Sequence, residues 1–156
     1  MLKKKKVPLA CEWQNKTKNF QKPFTKNKSS FYKYTGKFTW KGVKTEKYKG
    51  SGRDWSNIIR KTCIGRHGET ARFHLRYFEI APGGYSSFEM HKHEHVVIGI
   101  RGKGICIIKK RKHIINYLDT IYIAPSTPHQ LRNPYKEPFG FFCIVNAKRD
   151  KPKILI

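Results

Sequence analysis

The chain has 156 residues, with 34 Lys plus Arg against 10 Asp plus Glu, for a formal net charge of +24. That length suits one domain with a proper core, and no apolar run in it approaches the length of a membrane-spanning helix, so no membrane partner is expected. The sequence contains no zinc-finger spacing, helix-turn-helix pattern or RNP signature, so the charge points to a solvated surface with weak polyanion binding rather than to a dedicated nucleic-acid reader.

Taken in order, residues 1–30 are Lys-rich and poor in aliphatics, and read as a basic flexible arm. Residues 1–66 hold 19 Lys plus Arg against only Glu12, Glu46 and Asp54, which gives +16 of the total charge. Between residues 31 and 66, Phe31, Tyr32, Tyr34, Phe38, Trp40, Tyr48 and Trp55 require a partner surface, so this extension is expected to wrap the barrel or a second subunit. Residues 67–148 carry the strand signals: Thr70 to Ile80, Val96 to Arg101, Gly104 to Ile108, His113 to Leu118, Thr120 to Ile123 and Phe139 to Val145. These short β-branched or aromatic runs are separated by Gly, Pro and charged breaks, which predicts an all-β barrel or sandwich. Lys109 to Lys112 reads as a charged hairpin between two strands, and residues 149–156 as a tail whose Ile-Leu-Ile end is apolar enough to dock. Cys106 and Cys143 lie in apolar strands as small core residues; with no CxxC and no signal-like apolar segment, a reducing cytoplasm is the expected setting.

The densest chemistry lies in Glu89-Met90-His91-Lys92-His93-Glu94-His95, with His129 following Pro125 and Pro128 in a second polar turn. Alternate residues of a strand share a face, so Glu89 and His91 can point together, and a bend over Lys92 to Glu94 can bring His95 alongside. Three imidazoles and a carboxylate suit Fe(II), Mn, Ni, Zn or Cu(II), and an octahedral ion on four protein ligands keeps two positions open for a small molecule.

Gly83, Glu89, His91, His95 and Gly102 have the spacing of the first cupin motif, and His129 with Asn133 that of the second. Over roughly residues 70 to 146 the chain therefore resembles a cupin. The resemblance implies a double-stranded, jelly-roll-like β-barrel, a metal held by Glu89, His91, His95 and His129, and a homodimer. The usual ligand order is His, His, Glu, His; here the carboxylate comes first. A rival register pairs His91 with His93 but then asks Val97 or Ile98 to supply a carboxylate, so His93 is expected beside the site, with its substitution for one of the four left open. Leu118 and Ser126 stand where the family commonly has glycine.

Near the metal, Arg76, Tyr77, Gln130 and Asn133 are candidates for orienting ligands or substrate, with Arg76 and Tyr77 on opposite faces of one strand. The function expected is that of a metalloenzyme acting on a small chelating molecule, of dioxygenase, isomerase, lyase or decarboxylase type. A non-catalytic small-molecule or metal-sensing protein and a nucleic-acid-associated basic protein are the alternatives.

Overall fold

The computed structural model describes residues 29–49 and 52–155. The basic arm and Cys11 therefore lie almost wholly outside the described residues. Among the described residues there are thirteen strands and no helix, and every pairing is antiparallel. They are β1 (Tyr34–Gly36), β2 (Thr39–Trp40), β3 (Thr45–Lys47), β4 (Ser56–Ile64), β5 (Phe73–Tyr85), β6 (Glu89–Met90), β7 (His95–Arg101), β8 (Gly104–Ile108), β9 (Arg111–Ile115), β10 (Thr120–Ile123), β11 (His129–Arg132), β12 (Phe139–Asn146) and β13 (Lys153–Ile154). One side of the barrel runs β3-β4-β5-β12-β7-β10, and the other runs β9-β8-β11-β6-β13. The two meet where Tyr85 of β5 pairs with Arg132 of β11. This is the nearly closed all-β barrel of a double-stranded β-helix.

Alternation along the strands sorts residues between the interior and the outside. Ile58, Phe78, Ile80, Val97, Cys106, Ile115, Ile123, Leu131, Phe139, Phe141, Cys143 and Val145 form one buried cluster. Phe78 stacks on Phe141, the residue it faces across the β5–β12 ladder. The opposite face of β5 carries Tyr77, which is fully buried because Phe38 stacks on it and Trp40 and Phe142 meet it edge-on. The aromatics of the extension thus cover an outer face of their own barrel. The same stretch also supplies β3 and β4 to the sheet, and Ile58 of β4 to the core.

The Pro82-Gly83-Gly84 break expected after Ile80 lies inside β5. The β4 partner steps from Ser56 opposite Tyr85 to Ile58 opposite Ile80, so the extra residues form a bulge rather than a chain reversal. Gly83 takes φ +75° there and its N–H donates to the Asn133 carbonyl at 2.8 Å. Lys109, at φ +56°, makes the tight β8–β9 turn of the expected charged hairpin.

The two motif positions that lack glycine keep a glycine-like backbone: Leu118 sits at φ +67° and Ser126 at φ +56°. Leu118 holds that conformation through its N–H to Gly99 O at 2.7 Å, beside an Asn116–Asp119 turn. Its side chain is 63% exposed, so little packing offsets the strain. A non-glycine residue in the left-handed region costs about 1–2 kcal/mol, against the ~0.5–1 kcal/mol of chain entropy that glycine loses on folding. Leu118→Gly is expected to stabilise the fold by roughly 0.5–1 kcal/mol, an increase of a few degrees in the thermal midpoint. A lowered midpoint would show that Leu118 makes contacts that outweigh its backbone strain.

Candidate metal centre

The site is assembled by one strand pairing. β11 runs against β6 so that His129 faces Glu89, while Ile123 of β10 faces His95 of β7. His91 follows β6 two residues after Glu89, as alternation requires. His91, His95 and His129 thereby place ligand nitrogens within 4.8 Å of one another. All three rings are buried, with 4%, 8% and 3% exposure respectively.

Their orientation is set by backbone and thiol partners. Nδ1 of His91 lies 2.7 Å from His93 O, and Nδ1 of His129 lies 2.8 Å from Thr127 O. A carbonyl can only accept, so each Nδ1 carries the proton and each Nε2 keeps its lone pair. Nδ1 of His95 lies 3.4 Å from Cys143 Sγ. Nε2 of His91 and Nε2 of His95 are buried without a hydrogen-bond partner. Two unpartnered ring nitrogens buried in one pocket are costly unless something binds them.

Electrostatics keep these rings neutral. Burial pushes the His95 pKa well below the usual histidine value, and Arg76 pushes it further. Burial is also the leading cause for His91 and His129, which are both lowered. Neutral imidazole is the metal-binding form, so the donor set fits a divalent transition ion.

Glu89, expected as the fourth ligand, is buried beside this triad but is engaged elsewhere. Its Oε2 accepts from Lys49 Nζ at 2.6 Å, and the same ammonium donates to Ser87 Oγ at 2.7 Å. The triad is thus assembled from the histidines alone, with the carboxylate paired to a lysine from the N-terminal extension. His93 stacks on His91 with centroids 3.7 Å apart and planes 7° apart, and its Nδ1 lies 2.7 Å from Asp150 Oδ1. Asp150 also accepts from Lys92 N–H, and these two bonds hold its carboxyl at about 2. The tail that carries Asp150 docks on its own chain: β13 pairs with β6, and Leu155 N–H donates to Phe88 O.

A cavity of about 210 Å³ opens at the triad, lined by His95 and His129, by Phe78, Leu131 and Phe141, and by Lys49, Arg60, Arg76 and Arg149. Of the four candidates for orienting roles, only Arg76 points into it. Tyr77 faces outward under Phe38, with its hydroxyl on Glu79. Gln130 donates to Ser86 O, and Asn133 donates to Ile80 O and Glu137 O while accepting from Tyr135 N–H. Gln130 and Asn133 therefore fix the turn around β11 and do not touch the His129 ring. Sequence reasoning missed Lys49, Arg60, Arg149 and Asp150. Among 34 basic residues no spacing marks the three cations, and only the β6–β13 pairing brings Asp150 to His93.

Cys143 touches His95 on one side and receives Arg76 Nη2 at 3.3 Å on the other. Complete burial pushes its thiol pKa up; burial likewise raises Cys63 to about 11 and Cys106 to about 12. The thiolate is the reactive form, so these three cysteines are expected to resist alkylation by iodoacetamide at pH 8 in the folded protein and to react fully in denaturant. Peptide mapping that found Cys143 rapidly labelled in the native state would show that the cavity admits the reagent and lowers the thiol pKa.

A family model described as a cupin domain matches residues 76–145. The 1-methylthio-D-xylulose 5-phosphate methylsulfurylase of Rhodospirillum rubrum is 34% identical over 125 residues, which cover 80% of this chain and 79% of that protein. Among solved structures, a cupin-2 domain protein of Rhodospirillum rubrum is 32% identical at a TM-score of 0.70, with 81% of this chain and 84% of that chain covered. A cupin 2 conserved barrel protein of Rhodopseudomonas palustris is 32% identical at a TM-score of 0.74, with 81% and 87% covered.

Proposed function

We propose that this chain, which belongs to the cupin family, is a metal-dependent enzyme that acts on a small phosphorylated hydroxyketone. The observation that carries this reading is the convergence of three neutral imidazoles, two of which, His95 and His129, line a cavity, and two of which, His91 and His95, have buried and unpartnered Nε2 atoms. His91, His95 and His129 would hold the ion, with Glu89 as the fourth donor once it leaves Lys49. A divalent transition ion there would act as a Lewis acid toward a ligand with adjacent oxygen donors.

The chain's own groups supply the rest. Phe78, Leu131 and Phe141 exclude water from one wall of the cavity, which strengthens every charge interaction inside it. His93 faces the cavity with its Nδ1 fixed on Asp150, so its other nitrogen is presented to an occupant in a defined orientation. The substrate class is supported by the related methylsulfurylase, whose named substrate is a methylthio-substituted ketose phosphate.

Two measurements test the reading. Elemental analysis of untagged protein is expected to find one equivalent of a transition metal per chain in the wild type and in His93→Ala, and none in His91→Ala or His129→Ala. Equal metal loss in all three variants would make His93 a ligand, and absence of metal from the wild type would remove the metalloenzyme reading.

Turnover is the second test. Metal-loaded protein is expected to consume 1-methylthio-D-xylulose 5-phosphate, followed by mass spectrometry, and to lose that activity on chelation. Consumption that survives chelation would assign the chemistry to the side chains alone.

A further inference from the structure

The same cavity is also strongly basic. Lys49, Arg60, Arg76 and Arg149 line it against only Glu89 and Asp150. Both acids are committed, Glu89 to Lys49 and Asp150 to His93 and Lys92 N–H. Arg60 spends its Nε on Glu46 at 2.9 Å. Arg76 and Arg149 have no carboxylate partner among the described residues. Arg149 Nη1 is satisfied by the Asn146 and Ala147 carbonyls and by His74 Nδ1, which anchor the side chain without neutralising it. Arg76 Nε is buried with no acceptor at all, while its guanidinium lies 5.0 Å from the Phe78 ring centre.

These positions follow from the ladder. Arg60 faces Phe78 across the β4–β5 pairing, and Arg76 faces Cys143 across β5–β12, so both arginines lie on the interior face of adjacent strands. Arg149 enters from the segment just after β12. The arginines feel one another: burial and then Arg76, Arg66 and Arg60 lower the Arg149 pKa, and burial and then Arg149 and Arg76 lower that of His74. Holding the half-buried Arg76 and Arg149 near one another without a counter-charge is unfavourable unless an anion completes the site.

We infer that Arg76 and Arg149, with Arg60 beside them, form the subsite for a phosphate monoester, so that the substrate's phosphate lies on the arginines and its other end reaches the histidines. Arginine suits this role because its planar fork gives two parallel charge-assisted bonds to phosphate oxygens. Cys143, in contact with both Arg76 and His95, sets the spacing: the phosphate and the histidine triad are one thiol apart along the wall. This rests on the reading of the cavity as the catalytic pocket, but it concerns different residues from the histidine triad.

The test is calorimetric titration of inorganic phosphate into full-length protein, both metal-loaded and after chelation, for wild type, Arg76→Gln, Arg76→Lys and Arg149→Gln. Chelated wild type is expected to bind one phosphate per chain. Arg149→Gln is expected to weaken that binding at least tenfold with metal content unchanged, Arg76→Gln to weaken it at least tenfold, and Arg76→Lys to recover part of the loss. Should Arg76→Gln fail to fold, Arg149→Gln carries the same reading from a residue outside the strands.

Phosphate binding that is unchanged in Arg149→Gln, or that appears only in metal-loaded protein, would overturn the subsite. Acetate binding as tight as phosphate would overturn its assignment to a phosphate. Wild type without metal but with arginine-dependent phosphate binding would uphold the subsite while removing the metalloenzyme reading, so the two failures are distinguishable.

Discussion

The site depends on one register: β11 against β6, with His129 opposite Glu89. A shift of one residue would turn every side chain of β11 to the other face, replacing His129 and Leu131 in the interior with Gln130 and Arg132. Several local bonds hold that register. Ser86 N–H donates to Leu131 O and Ser86 Oγ accepts from Leu131 N–H, while Gln130 reaches Ser86 O. Asn133 ties the end of the strand to β5 through Ile80 O and through the Gly83 and Gly84 backbone. Residues that looked like partners of the histidine are thus what fixes the strand that carries it.

With the register set, both flanks of the barrel converge on the site. The N-terminal extension stacks Phe38 and Trp40 on Tyr77 outside and then brings Lys49 inward to Glu89 and Ser87. The C-terminal tail places Asp150 on His93 and Lys92 before adding β13 to the edge at β6. Neither contact makes the core, but each acts on a residue of the His91 bend. That bend has only the two residues of β6 before it, too short to be rigid alone. Its order comes from what is packed on it.

The clustering of these side chains was legible because it is a strand-periodic pattern: Glu89, His91 and His95 are separated by what alternation and one bend require, although Glu89 turns to Lys49 and only the histidines come together with His129. The barrel class was legible for the same reason, and Gly104 to Ile108 and Thr120 to Ile123 match β8 and β10 in full. Other features depend on tertiary context. A Pro-Gly-Gly sequence ordinarily breaks a strand, yet here it is accommodated as a bulge because β4 and Asn133 supply partners on both sides. The β11 strand is four residues directly behind a proline-rich turn, so its local signal is that of the turn. Which of Arg76 and Tyr77 faces inward is decided by where Phe38 and Trp40 dock, and alternation alone leaves it open. Glycine is absent at Leu118 and Ser126, yet the turns survive, because hydrogen bonds to Gly99 O and His91 O hold the left-handed backbone.

Charge joins the two halves of the cavity. A buried imidazole beside a guanidinium is disfavoured from taking a proton, which is what happens to His95 next to Arg76. Arg76 thus adds to burial in keeping His95 unprotonated. The arginines would repel a divalent ion, and the one carboxylate at the triad, Glu89, is already balanced by Lys49. A pocket that held an ion beside Arg76 and Arg149, neither of which has a carboxylate partner among the described residues, would carry a positive excess. An anionic occupant that reaches from the arginines to the histidines removes that excess at both ends. Its two ends would then bind cooperatively, because each neutralises charge that opposes the other. A basic wall of this kind would select for phosphorylated ligands over neutral analogues with the same chelating oxygens, since a neutral molecule would leave Arg76 and Arg149 half-buried without a counter-charge.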